Sequence, residues 1–218
     1  MQLLTLDSLK TSLRTFIETL HQQSIHELYG VTDGKAVGTY VEVLLKSFLR
    51  DRFDFEEGSA ALGIDFPSLQ VDLKVTSIRQ PQSSSPFRSA RQKVYGLGYH
   101  LCILVYDKTD DRQTETSHLA IQHALFIEKE RTGDYQLTRG ILEILSRDGN
   151  KDDLVAFFED RQLPTDEVGR EQLAEEVLAN PPLQGYLTIS NAMQWRLQYG
   201  RAITLAKQGG ADGIGILF

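Results

Sequence analysis

The chain has 218 residues, a formal net charge of −7 and 41% hydrophobic residues, which is enough for one sizeable core in a single domain. No apolar run approaches the length of a membrane span, and residues 1–10 lack the basic start and apolar stretch of a signal peptide. The one cysteine, Cys102, lies in an apolar strand pattern, which excludes a cysteine-rich zinc site and fits a protein of the reducing cytoplasm.

The N-terminal part of the chain predicts two helices. Apolar residues recur at helical spacing over 3–28, and Asp7 or Ser8 is expected to cap this helix. A turn-rich segment follows. The apolar positions of 39–53 then indicate a second helix, which carries Glu42 in its N-terminal part.

The rest of the chain predicts a mixture of strands and helices. The expected elements are a strand and turn over 53–66, a central strand over 69–76, a polar loop over 77–87, a helix over 88–97 ended by Gly96 or Gly98, buried strands over 99–108 and 118–129, an acidic and mostly helical stretch over 134–179, and a long helix in the latter part of 186–208. Trp195 and Tyr199 are expected to pack within that last helix. This order indicates an α/β fold, with a mixed β-sheet flanked by helices and a mostly helical C-terminal half.

The central strand places a carboxylate and an ammonium group side by side within apolar sequence. Because side chains alternate between the two faces of a strand, Asp72 and Lys74 share one face and their apolar neighbours share the other. Asp65 lies just upstream, before Pro67, and a short turn there would bring it back beside Asp72. Two carboxylates on one face repel each other unless a cation separates them, and Mg²⁺ prefers a few carboxylates and several waters.

Together these residues indicate phosphodiester hydrolysis. Asp65 and Asp72 are expected to bind Mg²⁺, with Glu42 reaching in from its helix as a ligand or support, and Mn²⁺ is expected to substitute. Lys74 would orient the metal-bound water or neutralise the phosphate. The alternative is structural: an exposed Asp72–Lys74 ion pair on an edge strand, Asp65 in a turn and Glu42 on a solvated helix face.

The pattern GID-x6-DLK resembles the PD-(D/E)xK motif of the restriction-endonuclease-like nucleases. In this resemblance Asp65 takes the place of the first acid, Asp72 that of the second and Lys74 that of the lysine, while Ile64 replaces the preceding proline. Glu42 matches the helix acid that many members carry.

The resemblance covers roughly residues 36–107 and implies a restriction-endonuclease-like fold. The basic segment 88–96 is similar to the helix that follows the catalytic strand in that fold, so Gln92 or Lys93 is expected to face the site.

The acidic net charge alone argues against a nucleic-acid partner, but its distribution indicates one. Neither 73–106 nor 177–211 contains an Asp or Glu, which is typical of a protein with one basic surface, although core segments that avoid acids would give the same pattern. Gln and Asn pair with adenine, and Arg with guanine, in the major groove. The residues expected to contact DNA are Arg79, Gln80, Gln82, Arg88, Arg91, Gln92, Lys93, Asn191, Gln194, Arg196 and Arg201.

Among nucleases of this fold, the size and polar segments favour a type II restriction endonuclease. The resemblance then implies a homodimer that cuts double-stranded DNA at a palindrome, with 108–218 supplying dimerisation and DNA contacts, and a cognate DNA methyltransferase in the same system. A structure-specific or nonspecific repair or processing nuclease is the alternative within the fold. A catalytically inert nucleic-acid-binding protein is a further alternative, against which the intact Asp65, Asp72 and Lys74 argue.

Overall fold

The computed structural model describes residues 2–58, 63–192 and 194–218 as an α/β structure. Its helices are α1 (Leu6–Leu20), α2 (Gly34–Arg50), α3 (Arg91–Tyr95), α4 (Tyr135–Leu145), α5 (Lys151–Asp160), α6 (Glu167–Ala179) and α7 (Gly200–Lys207). Its strands are β1 (Gln2–Leu3), β2 (Phe53–Asp54), β3 (Val71–Ser77), β4 (Gln82–Pro86), β5 (His100–Asp111), β6 (Thr116–Ile127), β7 (Thr188–Ile189), β8 (Gln194–Gln198) and β9 (Ile214–Ile216).

Three sheets organise these strands. The largest has the order β3-β5-β6-β9, in which β3 is parallel to β5 and the other pairs are antiparallel. A second, fully antiparallel sheet has the order β4-β8-β7, and β1 pairs with β2. The predicted mixed sheet flanked by helices is therefore confirmed. Within the described residues, no helix is long and apolar enough to cross a bilayer.

Strand β5 is apolar on both faces because the large sheet is covered on both sides. One set of its side chains packs against α1 and α2, and the other packs against the β4-β8-β7 sheet and α7. The first set is Cys102, Leu104 and Tyr106, and the second is Leu101, Ile103 and Val105. A third apolar cluster joins α3 to α4, α5 and α6.

Several predicted elements agree with the structure, and their boundaries have physical reasons. Helix α1 begins after Thr5, whose hydroxyl accepts a hydrogen bond from the Ser8 N–H, so the expected cap at Asp7 or Ser8 was wrong. Helix α2 begins within the turn-rich segment because Asp33 caps it. Helix α3 ends at Gly96, as predicted, with a φ of 91° that favours glycine.

Two predicted elements were wrong. The segment predicted as a polar loop over 77–87 contains strand β4, which pairs with β8. The long helix predicted in 186–208 is two strands followed by the short helix α7. Trp195 and Tyr199 are both fully buried, but Trp195 lies on a strand rather than on that helix.

The expected mostly helical C-terminal half is found only over 135–179, where α4, α5 and α6 lie. Strands β6 to β9 occupy much of the remainder of that half. Part of the segment 53–66, residues 59–62, lies outside the described residues.

Asp134 joins the helical cluster to the small sheet. It is 6% exposed; its Oδ1 accepts a hydrogen bond of 2.9 Å from the Leu137 N–H in α4, and its Oδ2 accepts one of 2.8 Å from the Ile189 N–H in β7. We expect Asp134→Ala to lower stability by about 2–4 kcal/mol, because two charge-assisted hydrogen bonds are lost and a buried N–H is left unpaired.

The matched control is Asp166→Ala. Asp166 caps α6 at an exposed position with a single hydrogen bond to Gly169, so we expect a loss of only about 1 kcal/mol. Urea unfolding measures both variants, and equal losses would contradict the role of Asp134 as a link between helix and sheet.

Candidate active site

Strand β3 carries the Asp72–Lys74 pair between the large sheet and the small sheet. As the alternating pattern predicts, Val71 and Leu73 are buried in the cluster that contains α2. Lys74 Nζ lies 2.7 Å from Asp72 Oδ2. Asp72 is only 3% exposed, so the pair is not the exposed ion pair of the structural alternative, although β3 is an edge strand.

A tight turn carries Asp65 back to this strand. Phe66 and Val71 exchange backbone hydrogen bonds of 2.9 and 3.2 Å, and the 3-10 turn Pro67–Leu69 lies between them. Asp65 Oδ2 then accepts a hydrogen bond of 2.9 Å from the Leu73 N–H. The prediction that a short turn places this acid beside the carboxylate of the strand is confirmed.

The surroundings of the two carboxyl groups move their pKa values in opposite directions. Burial raises the pKa of Asp72 to about 7, an effect that Lys74 opposes and Asp65 reinforces. Burial also disfavours the charge of Asp65. However, hydrogen bonds from Asp72, from the Leu73 N–H and from Lys46 outweigh burial and hold the pKa of Asp65 below its ordinary value. Neighbouring acids whose pKa values are pushed apart in this way are characteristic of active sites.

Lys46 is a residue of the site that the sequence analysis missed. Its Nζ lies 2.5 Å from Glu42 Oε1 and 3.0 Å from Asp65 Oδ1, and the residue is 7% exposed. Burial lowers the pKa of Lys46, but its hydrogen bonds to Glu42 and Asp65 outweigh that effect, so the pKa is raised and the group remains a cation. The signal in the sequence was a Glu–Lys spacing of four, which is common on exposed helix faces.

The carboxylates of Asp65 and Asp72 fit a divalent cation. Asp72 Oδ2 is buried and, although Lys74 is at ion-pair distance, this oxygen accepts no hydrogen bond from the described residues. Such an oxygen beside a second carboxylate suits a hard cation. Across the described ranges no three His, Cys, Asp or Glu side chains converge on a metal position, and Glu42 contacts Lys46 instead.

A groove of about 1,110 Å³ opens beside the Asp72–Lys74 ion pair. Glu42 and Lys74 line it. So do five of the residues predicted to contact DNA: Arg79, Gln80, Gln82, Gln194 and Arg196. Its lining is mixed rather than uniformly basic, since it also includes Asp33, Asp107 and Asp110 beside Lys35 and Lys108.

A smaller cavity of about 50 Å³ adjoins the groove. Lys74 and Ser84 line both spaces, and Asp72 lines the small one. Arg88 and Gln92, which the sequence analysis assigned to DNA, also line this cavity. The structure therefore brings both of these residues close to the acid pair.

The other four residues predicted to contact DNA lie outside both sets of lining residues and make internal contacts in the described chain. Arg91 forms an ion pair of 2.5 Å with α6. Lys93 is 6% exposed and donates a hydrogen bond to Asn191. The Arg201 guanidinium lies 3.5 Å from the centre of the Tyr135 ring. The acid-free stretches therefore include internal packing segments as well as the groove.

The raised pKa of Asp72 predicts a pH-dependent effect on stability. A carboxyl group whose pKa rises from 3.8 to about 7 on folding favours the folded state most below pH 4, and this contribution is lost as the pH rises to 7. We therefore expect neutral Asp72→Asn, without divalent ions, to raise Tm by about 3–6 °C relative to the parent protein at pH 8, with a much smaller difference at pH 5.

Thermal unfolding in EDTA at both pH values measures this effect. Asp160→Asn, an exchange at an exposed position on α5, is the control and should show no such pH dependence. If the Tm difference between Asp72→Asn and the parent protein is the same at pH 5 and at pH 8, this result would contradict the raised pKa of Asp72.

Comparison with known proteins identifies the family. The family model for the Type II restriction enzyme NspV matches residues 3–215. The Type II restriction enzyme NspV of Nostoc sp. (strain ATCC 29411 / PCC 7524) is 56% identical over 216 residues, which cover 98% of this chain and 96% of that protein. No solved structure matches the chain significantly. The resemblance to restriction endonucleases is thus confirmed, and the chain belongs to the NspV family of type II restriction enzymes, which are site-specific deoxyribonucleases.

Proposed function

We propose that Asp65, Asp72 and Lys74 form the Mg²⁺-dependent catalytic centre of this restriction enzyme. The observation that carries the proposal is the buried pair of carboxyl groups beside Lys74, at the junction of the small cavity and the groove. The centre lies in a restriction-endonuclease-like core over about 36–107. Mn²⁺ is expected to replace Mg²⁺, since both are hard cations that accept carboxylate and water ligands.

Asp65 and Asp72 would hold the metal, which supplies a water of lowered pKa and stabilises charge on the phosphate. Asp72 must release its proton to bind a cation as a carboxylate. Burial lowers the pKa of Lys74 but its contacts with Asp72 outweigh burial, so its pKa is raised and it stays charged. Because Lys74 is already held in place, its ammonium group can neutralise charge on the scissile phosphate without reorganisation.

Base recognition is proposed to use the β4–β8 ribbon. Its register pairs Gln82 with Gln198 and Ser84 with Arg196, while Gln194 stands near one end. Gln194, Arg196 and Gln198 are exposed, and they alternate with buried residues. This ribbon is part of the three-stranded sheet β4-β8-β7, and its exposed side chains are of the types that read bases in the major groove, where Gln pairs with adenine and Arg with guanine. The residues proposed to contact the DNA backbone beside the scissile phosphate are Arg79, Gln80, Arg88 and Gln92, which line the groove or the small cavity.

The assembly and partners follow from the type of enzyme. A palindromic DNA site has two-fold symmetry, so we propose a homodimer in which residues 108–218 supply the interface and part of the DNA surface. A DNA methyltransferase of the same sequence specificity would protect the host DNA in the cytoplasm.

The catalytic assignment is tested by Asp72→Asn and Lys74→Ala. Incubation with long duplex DNA and Mg²⁺ should give discrete fragments for the parent protein and none in EDTA. We expect each variant to cut at least about a thousandfold more slowly, because charge stabilisation at the phosphate is lost. Binding of duplex DNA in EDTA should persist in Asp72→Asn, and Asp160→Asn should cut normally. Cleavage by Asp72→Asn at the parental rate would remove the assignment.

The recognition assignment is tested by Arg196→Ala and Gln194→Ala. We expect a loss of about 1–3 kcal/mol in binding to the cognate site for each variant, with little change in binding to unrelated duplex DNA. Loss of a phosphate contact would instead weaken binding to both the cognate and the unrelated DNA, and it would lower the salt dependence of binding. Arg147→Ala, in the exposed turn after α4, is the control. Equal losses on cognate and unrelated DNA would contradict base reading by the ribbon.

A further inference from the structure

Lys46 has a position that the proposed chemistry does not yet use. It is a buried cation on α2 that contacts two carboxylates, and one of them, Asp65, is a proposed metal ligand. Its helix is fixed by the apolar residues Val41, Leu45 and Leu49, so the stem of Lys46 cannot move away without disturbing the core.

We infer that Lys46 is a positioning residue for the proposed metal centre, and that it holds Asp65 in a fixed orientation while it competes with the metal for that carboxylate. The inference rests on the proposed function, because it concerns the same catalytic centre. It assigns a role to a residue that lies outside the Asp65, Asp72 and Lys74 set.

Hydrogen bonds hold both carboxylate oxygens of Asp65. Oδ1 accepts a hydrogen bond of 3.0 Å from Lys46, and Oδ2 accepts one of 2.9 Å from the Leu73 N–H. A carboxylate held at both oxygens cannot rotate about its Cβ–Cγ bond. Without Lys46, only the bond to Leu73 would remain, and Asp65 would sample other orientations. Reactions that depend on fixed geometry slow strongly when a ligand can rotate.

The positive charge of Lys46 opposes the binding of a divalent cation at Asp65. The site contains three carboxyl groups, of Glu42, Asp65 and Asp72, and two ammonium groups, of Lys46 and Lys74. When all are ionised the net charge is −1, and without Lys46 it would be −2. A divalent cation held by Asp65 would share that carboxylate with the Lys46 ammonium group, and like charges at such distances in a buried site repel strongly.

The contacts of Glu42 agree with this role. Its Oε1 accepts the other hydrogen bond of Lys46, so Glu42 anchors the ammonium group from one turn earlier on the same helix. Lys46 is therefore fixed between a residue of its own helix and a residue of the turn before β3. A lysine that served only to fill space would need neither partner.

Loss of the Lys46 ammonium group should therefore change metal affinity and turnover in opposite directions. Lys46→Met keeps the length of the side chain and removes its charge, so metal binding should become tighter while turnover falls. We expect the Mn²⁺ concentration at half-maximal cleavage to fall at least threefold, and the single-turnover rate at saturating Mn²⁺ to fall at least tenfold. Without DNA, Mn²⁺ should raise Tm more in Lys46→Met than in the parent protein.

Two further variants separate positioning from general stability. Lys46→Gln removes the charge and shortens the side chain, and it repeats the test if Lys46→Met does not fold. Lys46→Arg keeps the cation and should retain the parental Mn²⁺ midpoint. Lys207→Met, an exposed lysine on α7, is the matched control for the loss of one positive charge.

The outcomes are distinguishable. A lower midpoint with a lower rate supports the inference. In the neutral variants, an Mn²⁺ midpoint that is unchanged or higher overturns the inference, and so does an unchanged single-turnover rate. An Mn²⁺ midpoint for Lys46→Arg as low as that for Lys46→Met also overturns it. Asp72→Asn is measured in parallel: if it cuts at the parental rate, the proposed catalytic centre itself fails. If Asp72→Asn is inactive while the neutral Lys46 variants match the parent protein, only the role of Lys46 fails.

Discussion

The carboxyl groups of Asp65 and Asp72 lie side by side in a largely buried position, and the rest of the site depends on this constraint. Burial disfavours both charges and raises the pKa of Asp72, and an ammonium group lies against each acid. Lys74 contacts Asp72, and Lys46 contacts Asp65. The arrangement is unfavourable as a structural device and suitable for binding a divalent cation.

Three local features position these four groups, of Asp65, Asp72, Lys46 and Lys74. The alternation of β3 places Asp72 and Lys74 on one face because Val71 and Leu73 fill the core on the other. The short turn before the strand returns Asp65 to it, and the apolar face of α2 holds Lys46 below the surface. The site therefore lies where three elements meet, and movement of any one of them would separate the charges.

The sequence was sufficient for the acid pair but not for its surroundings. Period-two alternation and the turn before Pro67 are local signals, so the placement of Asp65 beside Asp72 and Lys74 could be predicted without a structure. Lys46 was hidden because a Glu–Lys spacing of four on a helix is typical of a solvated face, and only tertiary packing buries it. Strand β4 was missed because its three serines and Pro86 are typical of loops, while its partner β8 lies more than a hundred residues along the chain.

The contact between β3 and β4 joins the proposed recognition ribbon to the strand of the proposed catalytic residues. The Thr76 hydroxyl on β3 accepts a hydrogen bond of 3.0 Å from the Gln82 N–H and lies 3.1 Å from the Gln82 carbonyl oxygen. Gln82 begins the proposed recognition ribbon, and Ser84 lines the same cavity as Asp72 and Lys74. Because Thr76 lies only two residues after Lys74, this contact holds the ribbon close to the Asp72–Lys74 pair.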